Sequence, residues 1–173
     1  MRRALTVTVA ALVATGAAWS STSSWLLYKS QGVTLRYPAN WHATTTPLTH
    51  VTDPEQIVAI ASYPLPRSNR GDNGCQPQEA LDHLPATGAF IYGWEDPADS
   101  VFGPPRASDF PARPAHFKLP RYAQYECSGP GYMLVFRDNG RFFQMHVALG
   151  RHATPATRQE VLRILDSFHA NRR

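Results

Sequence analysis

Few side chains in this sequence stand at spacings that do chemistry. Cys75 and Cys127 are its two cysteines. They lie too far apart in sequence for Cys-x-x-Cys redox chemistry or a zinc half-site. In an oxidising compartment an isolated pair reads as a structural disulfide. Closing that loop contributes about 4 kcal/mol in the chain-entropy model, and less in practice. Seven histidines invite a search for a metal site. His42 and His50 flank a Thr-rich segment, and His146 and His152 flank a strand end. No pair has His-x-His or His-x-x-x-His spacing, so they read as scattered surface residues. Glu95, Asp96 and Asp99 cluster but lack the Asp-x-Asp-x-Asp-Gly pattern of a calcium loop. Ser128 lies in Cys-Ser-Gly-Pro-Gly with no identifiable base, Ser167 reads as an ordinary helix residue, and no Gly-x-Ser-x-Gly elbow occurs. Gly129-Pro130-Gly131 lacks the lysine and the strand–helix context of a phosphate loop. The residues therefore predict no catalytic group, no metal ligand and no cofactor.

One segment stands out. Between Pro97 and Pro120 the chain carries six prolines, which bar a long helix or a central strand. A structureless stretch of this length is uncommon in a compact domain and is often functional. Trp94, Phe102 and Phe110 lie in or beside it. Either they pin the loop to the fold, or they present it to a partner. They are the candidate partner-binding residues.

The elements that position these groups can be read from periodicity. Trp25–Tyr28 and Val33–Tyr37 read as strands broken at Gly32, and Pro38-Ala39-Asn40 reads as a turn before Trp41. Gln56–Tyr63 holds a β-branched run suited to a buried strand. A short helix is expected over Pro77–Leu84, with Pro77 in its first turn. Gly88–Trp94, Tyr122–Cys127, Tyr132–Arg137 and Arg141–Leu149 read as further strands, with Tyr37, Trp41, Phe136 and Phe143 more suited to a core than to a stacking platform. Asn139-Gly140 between two apolar runs is the strongest hairpin signal, because both residues tolerate positive φ. Thr154 and Pro155 open a final helix, whose stripe is Val161, Leu162, Ile164, Leu165 and Phe168. Strands joined by hairpins, without βαβ alternation, predict an α+β fold: an antiparallel sheet with helices packed against it.

Bulk composition sets the setting. Of 173 residues, 43% are hydrophobic and 17% charged, enough for a core and too little charge for disorder. Met1-Arg2-Arg3, the uncharged run Ala4–Ala18 and the small residues Gly16, Ala17, Ala18 and Ser20 read as a secretory signal peptide over residues 1–20. The run is short for a membrane span, so a membrane tether arises only if the segment is retained. No cysteine near the cleavage region offers a lipid attachment point. Residues 21–24 read as a short Ser/Thr leader and 25–173 as a single globular domain. Without Arg2 and Arg3 the net charge falls from +4 to +2, and Arg172 and Arg173 supply that remainder. The body is close to neutral, which argues against nucleic-acid binding.

The stretch Tyr28-Lys29-Ser30-Gln31-Gly32-Val33-Thr34-Leu35-Arg36-Tyr37-Pro38-Ala39-Asn40-Trp41 resembles the opening of the PsbP/Mog1-like fold, and Ile164-Leu165-Asp166-Ser167-Phe168 is similar to that fold's terminal helix. The resemblance implies a central antiparallel sheet between helices, an α/β/α sandwich. It also implies a mostly non-catalytic protein, most similar to the small secreted proteins of actinobacteria with this fold. No functional residue carries over, because the shared motif is structural. The expectation is an exported, non-catalytic binding or interaction module of the cell envelope, whose partner is an envelope protein or a small ligand. The alternative is a small secreted hydrolase with a non-standard site. It requires a histidine to converge in space with a serine or carboxylate.

Overall fold

The computed structural model describes residues 24–67, 75–101, 103–125 and 128–172. The expected signal peptide 1–20, residues 21–23 of the expected Ser/Thr leader, Phe102 and Cys127 lie outside them. Strands β1 (Trp25–Ser30) and β2 (Val33–Pro38) form a hairpin whose turn residues, Gln31 and Gly32, take φ of 46° and 73°. The sequence continues through β3 (His42–Ala43), β4 (Glu55–Ala61), α1 (Gln78–Asp82), β5 (Ala89–Asp96), β6 (Ala123–Tyr125), β7 (Gly129–Asp138), β8 (Arg141–Leu149), α2 (Pro155–Asp166) and β9 (His169–Ala170). Two sheets result, β1-β2-β9 and β3-β4-β5-β8-β7-β6, and every ladder is antiparallel.

The larger sheet buries both faces at its centre. Ala89 and Ile91 of β5 join Phe143, Met145 and Val147 of β8 in one apolar cluster. Phe90, Tyr92 and Trp94 point the other way, into a second. The two-residue period explains why β5 reads as one unbroken apolar run. Tyr28, Val33 and Leu35 of the smaller sheet enter the first cluster, with Val161, Ile164 and Leu165 of α2. Burying an aliphatic side chain of this size contributes about 1.5–3 kcal/mol. Gly93 is required on the face it occupies, since a Cβ there would run into the Met145 sulfur.

The expected hairpin forms: Asn139 and Gly140 take φ of 52° and 81°, and Asp138 pairs with Arg141. Thr154 caps α2, its hydroxyl accepting from the Thr157 amide at 3.1 Å, with Pro155 in the first turn. Helix α1 is shorter than expected, and Pro77 stands at its N-cap rather than inside its first turn. With two helices among the described residues the architecture is mostly β, and helix has a smaller share than an α+β reading anticipates. Strands β3 and β9, each of two residues, are too short to leave a periodic signal.

A buried ion pair within the larger sheet reaches across to the smaller one through its guanidinium. Arg141 is 5% exposed and Glu95 4%. The Arg141 Nε donates to Glu95 Oε1 at 2.8 Å, and one terminal nitrogen donates to Oε2 at 2.5 Å. The guanidinium also donates to the carbonyls of Gln31 (2.9 Å), Gly32 (3.2 Å) and Asn171 (3.4 Å). Beside it, Asp138 accepts from the Ala170 amide at 2.9 Å, and Asn139 donates to the Ala170 carbonyl at 2.7 Å. The β7–β8 turn thus holds the C-terminal strand in place.

Candidate functional site

The end of β5 carries the site. Beyond Tyr92 the strand runs Gly93-Trp94-Glu95-Asp96, and alternation sends Trp94 and Asp96 to one face and Glu95 to the other. This splits the acidic cluster seen in the sequence: Glu95 is held by Arg141, while Asp96 faces Gln144 of β8. The Gln144 amide donates to both Asp96 oxygens, at 3.0 and 2.8 Å. Burial pushes the Asp96 carboxyl above its usual range. The Gln144 hydrogen bond opposes that shift, and the negative charges of Asp53 and Glu95 add to it.

In front of Trp94 lies a cavity of about 380 Å³, lined by Val51, Asp53, Pro54, Cys75, Trp94, Ser128 and Gln144. The volume lies within the range of small-molecule sites, roughly 300–1,000 Å³. Trp94 is 5% exposed and stacks edge-on against Tyr92 at 5.2 Å. Its indole N–H is buried and has no hydrogen-bond partner among the described residues. Such a donor costs about 1–3 kcal/mol when left unpaired. A second hollow of about 300 Å³ shares Pro54 and Gln144 and extends along Ser100, Pro104, Pro105 and Phe110. The Asp53–Pro54 peptide is cis. One Asp53 carboxylate oxygen ties the turn to the Pro-rich segment, accepting from the Ser100 hydroxyl at 3.0 Å and the Val101 amide at 2.7 Å. The other is buried with no partner among the described residues.

The candidate partner-binding residues separate. Trp94 belongs to a strand and lines the cavity. Phe110 is buried, edge-on to Phe142 at 5.3 Å, and so pins the loop. Phe102 lies outside the described residues. Phe117, not singled out by pattern, is a second pin: it packs on Phe136 at 5.0 Å inside the first cluster. Cys75 lines the cavity, and no described cysteine is a free thiol. Ser128, the neighbour of Cys127, lines the same cavity, and its carbonyl accepts from the Tyr92 hydroxyl.

The structure brings two histidine–carboxylate pairs together, His116–Asp166 at 3.1 Å and His169–Asp138 at 4.0 Å. Both histidines are exposed, and neither pair lines the cavity. His146 departs from the surface expected of it. It is fully buried, packed on the rings of Tyr92 and Tyr125 at 4.7 and 5.7 Å. Burial drives its pKa down to about 4; the Gly129 backbone opposes the shift without completing a hydrogen bond to either ring nitrogen. Among the described residues no three metal-ligating side chains converge. No described helix is long and apolar enough to cross a membrane.

No family model matches the chain, and no curated protein matches it.

Proposed function

We propose that this chain is an exported, non-catalytic binding module of the cell envelope, and that the hollow in front of Trp94 is its ligand site. The observation that carries the reading is a cavity large enough for a small molecule, walled by the Trp94 side chain and Val51 with the polar groups of Asp53 and Gln144 beside them. An apolar wall with a few convergent polar groups is the usual make-up of a small-molecule site. The Pro-rich segment forms one wall of the adjoining hollow and is fastened to the opposite turn through Asp53. The site is therefore built between a strand end and a loop held at several points.

Export draws on residues 1–20, and two further readings accompany it. The PsbP/Mog1-like fold is supported by the resemblance at residues 28–41 and by the apolar face of α2 entering the core. A Cys75–Cys127 disulfide is supported by the presence of Cys75 and Ser128 on one cavity wall. The hydrolase alternative has less behind it, since the histidine–carboxylate pairs lie on the surface.

The test is a thermal-shift and tryptophan-fluorescence screen of small-molecule fractions from cell envelopes. Val51→Trp, which fills the cavity, serves as the control. The expectation is ligands that stabilise the native protein and lose at least tenfold in affinity on Val51→Trp. Ligands that bind both forms equally would place the site elsewhere.

A further inference from the structure

Strand β7 has a gap in its outer edge. The two-residue turn at Asn139-Gly140 makes Asp138–Arg141 the closing hydrogen-bonded pair of the hairpin. Phe136, Leu134 and Tyr132 follow it in bonding to β8. The intervening residues, Arg137, Val135 and Met133, direct their N–H and C=O groups to the opposite edge. The bonds of Arg137 fit this alternation. Its amide donates to the Pro111 carbonyl at 2.8 Å, and its carbonyl accepts from the Arg113 amide at 2.8 Å. At the other end of the strand, β6 pairs with Gly129, Pro130 and Gly131. Between these two covered stretches no described strand or backbone group bonds to the outer edge of Met133 or Val135.

A hollow of about 330 Å³ opens beside that gap, lined by Met133 and Val135 on one side and by Pro114, Phe117, Lys118 and Pro120 on the other. Val135 is 37% exposed. Unpaired edges of this kind are templates for an added strand. At about 3.3 Å per residue the gap admits roughly three to four extended residues. Charge indicates what kind. On the segment 113–121 forming the outer wall, His116 is paired with Asp166 and the Arg113 guanidinium bonds the Asp166 carbonyl, which leaves Lys118 and Arg121 as its exposed cations. Lys118 lines the hollow itself and is exposed.

We propose that the open edge of β7 at Met133 and Val135 docks an extended, acidic peptide, which adds as a short strand between β6 and the Arg137 backbone already bonded to Pro111 and Arg113. Backbone bonds to Met133 and Val135 supply register. Alternate side chains meet the apolar floor and the basic wall. This site is separate from the Trp94 cavity and stands whether or not that cavity holds a ligand.

Val135→Pro is the discriminating variant. Proline removes the outward N–H and leaves the bonds to β8 in place, an edge position where proline is tolerated. A phage-displayed heptapeptide library is panned on the purified chain and on this variant. The expected result is acidic, alternating sequences recovered at least tenfold better on the native protein. Synthetic hits should lose binding when alternate peptide nitrogens are methylated. Methylation tests backbone pairing directly, and so decides the matter even if Val135→Pro fails to fold. No enrichment, hits of basic composition, or hits that keep their affinity after methylation would each overturn the proposal.

Discussion

Replacing Arg141 by Met tests the buried ion pair most directly. Met keeps the aliphatic stem and removes the charge, so Glu95 is left 4% exposed with its guanidinium gone. The carbonyls of Gln31, Gly32 and Asn171 lose their donor in the same step. Breaking a buried pair by removing one partner costs about 3–5 kcal/mol, chiefly the desolvated charge left behind. For a domain of this size that lowers Tm by on the order of 10 °C. The pair itself need not be strongly stabilising. An apolar replacement of both partners is often neutral, so Arg141→Met/Glu95→Leu should recover most of the loss. Urea unfolding of the two single variants, the double variant and the native protein gives the coupling energy, expected at about 2–3 kcal/mol. A loss below about 1 kcal/mol for Arg141→Met, or additive single effects, would refute this account of the pair.

Protonation of His146 provides a second prediction. Its folded pKa of about 4 lies below the unfolded value of 6.5, so the unfolded chain binds more protons between these values. Stability should be full above about pH 6.5 and fall as pH drops toward 4, by roughly 3 kcal/mol in all. Urea midpoints at pH 4.5 and 7 should show that fall in the native protein and a much flatter dependence in His146→Leu; equal slopes count against it. Thr154→Ala removes the cap of α2 and should cost about 1 kcal/mol in the same unfolding assay, while no change would mean the cap is redundant. The denatured, unreduced protein should show no thiol with a thiol reagent, and reduction should lower its stability by up to about 4 kcal/mol. Two thiols would rule out the Cys75–Cys127 pair.

Much of the frame was legible before the structure. The Asn139-Gly140 turn and the Thr154-Pro155 helix start each depend on neighbours in sequence, and both form where expected. The site was less legible. Trp94 drew notice as a large apolar residue beside an irregular segment, but its partners Val51, Asp53 and Gln144 come from separate stretches and form no motif. The Glu95–Arg141 pair joins residues 46 positions apart, and only the β5–β8 register brings them together. His146 looked like a scattered surface histidine because a period-two pattern does not say whether a strand's second face is covered. Here the rings of Tyr92 and Tyr125 cover it.

Strand β9 ties the order of folding to a long-range contact. Thr34, near the start of the fold, pairs with His169, near its end, and Phe168 beside it fills the first core cluster. The smaller sheet is therefore closed only when a segment 135 positions on from Thr34 comes back to it. A chain shortened before Phe168 leaves β2 as an open edge over an incomplete core. The smaller sheet thus depends on a contact of long sequence separation, whose loop-closure entropy must be met before the pairing stabilises anything.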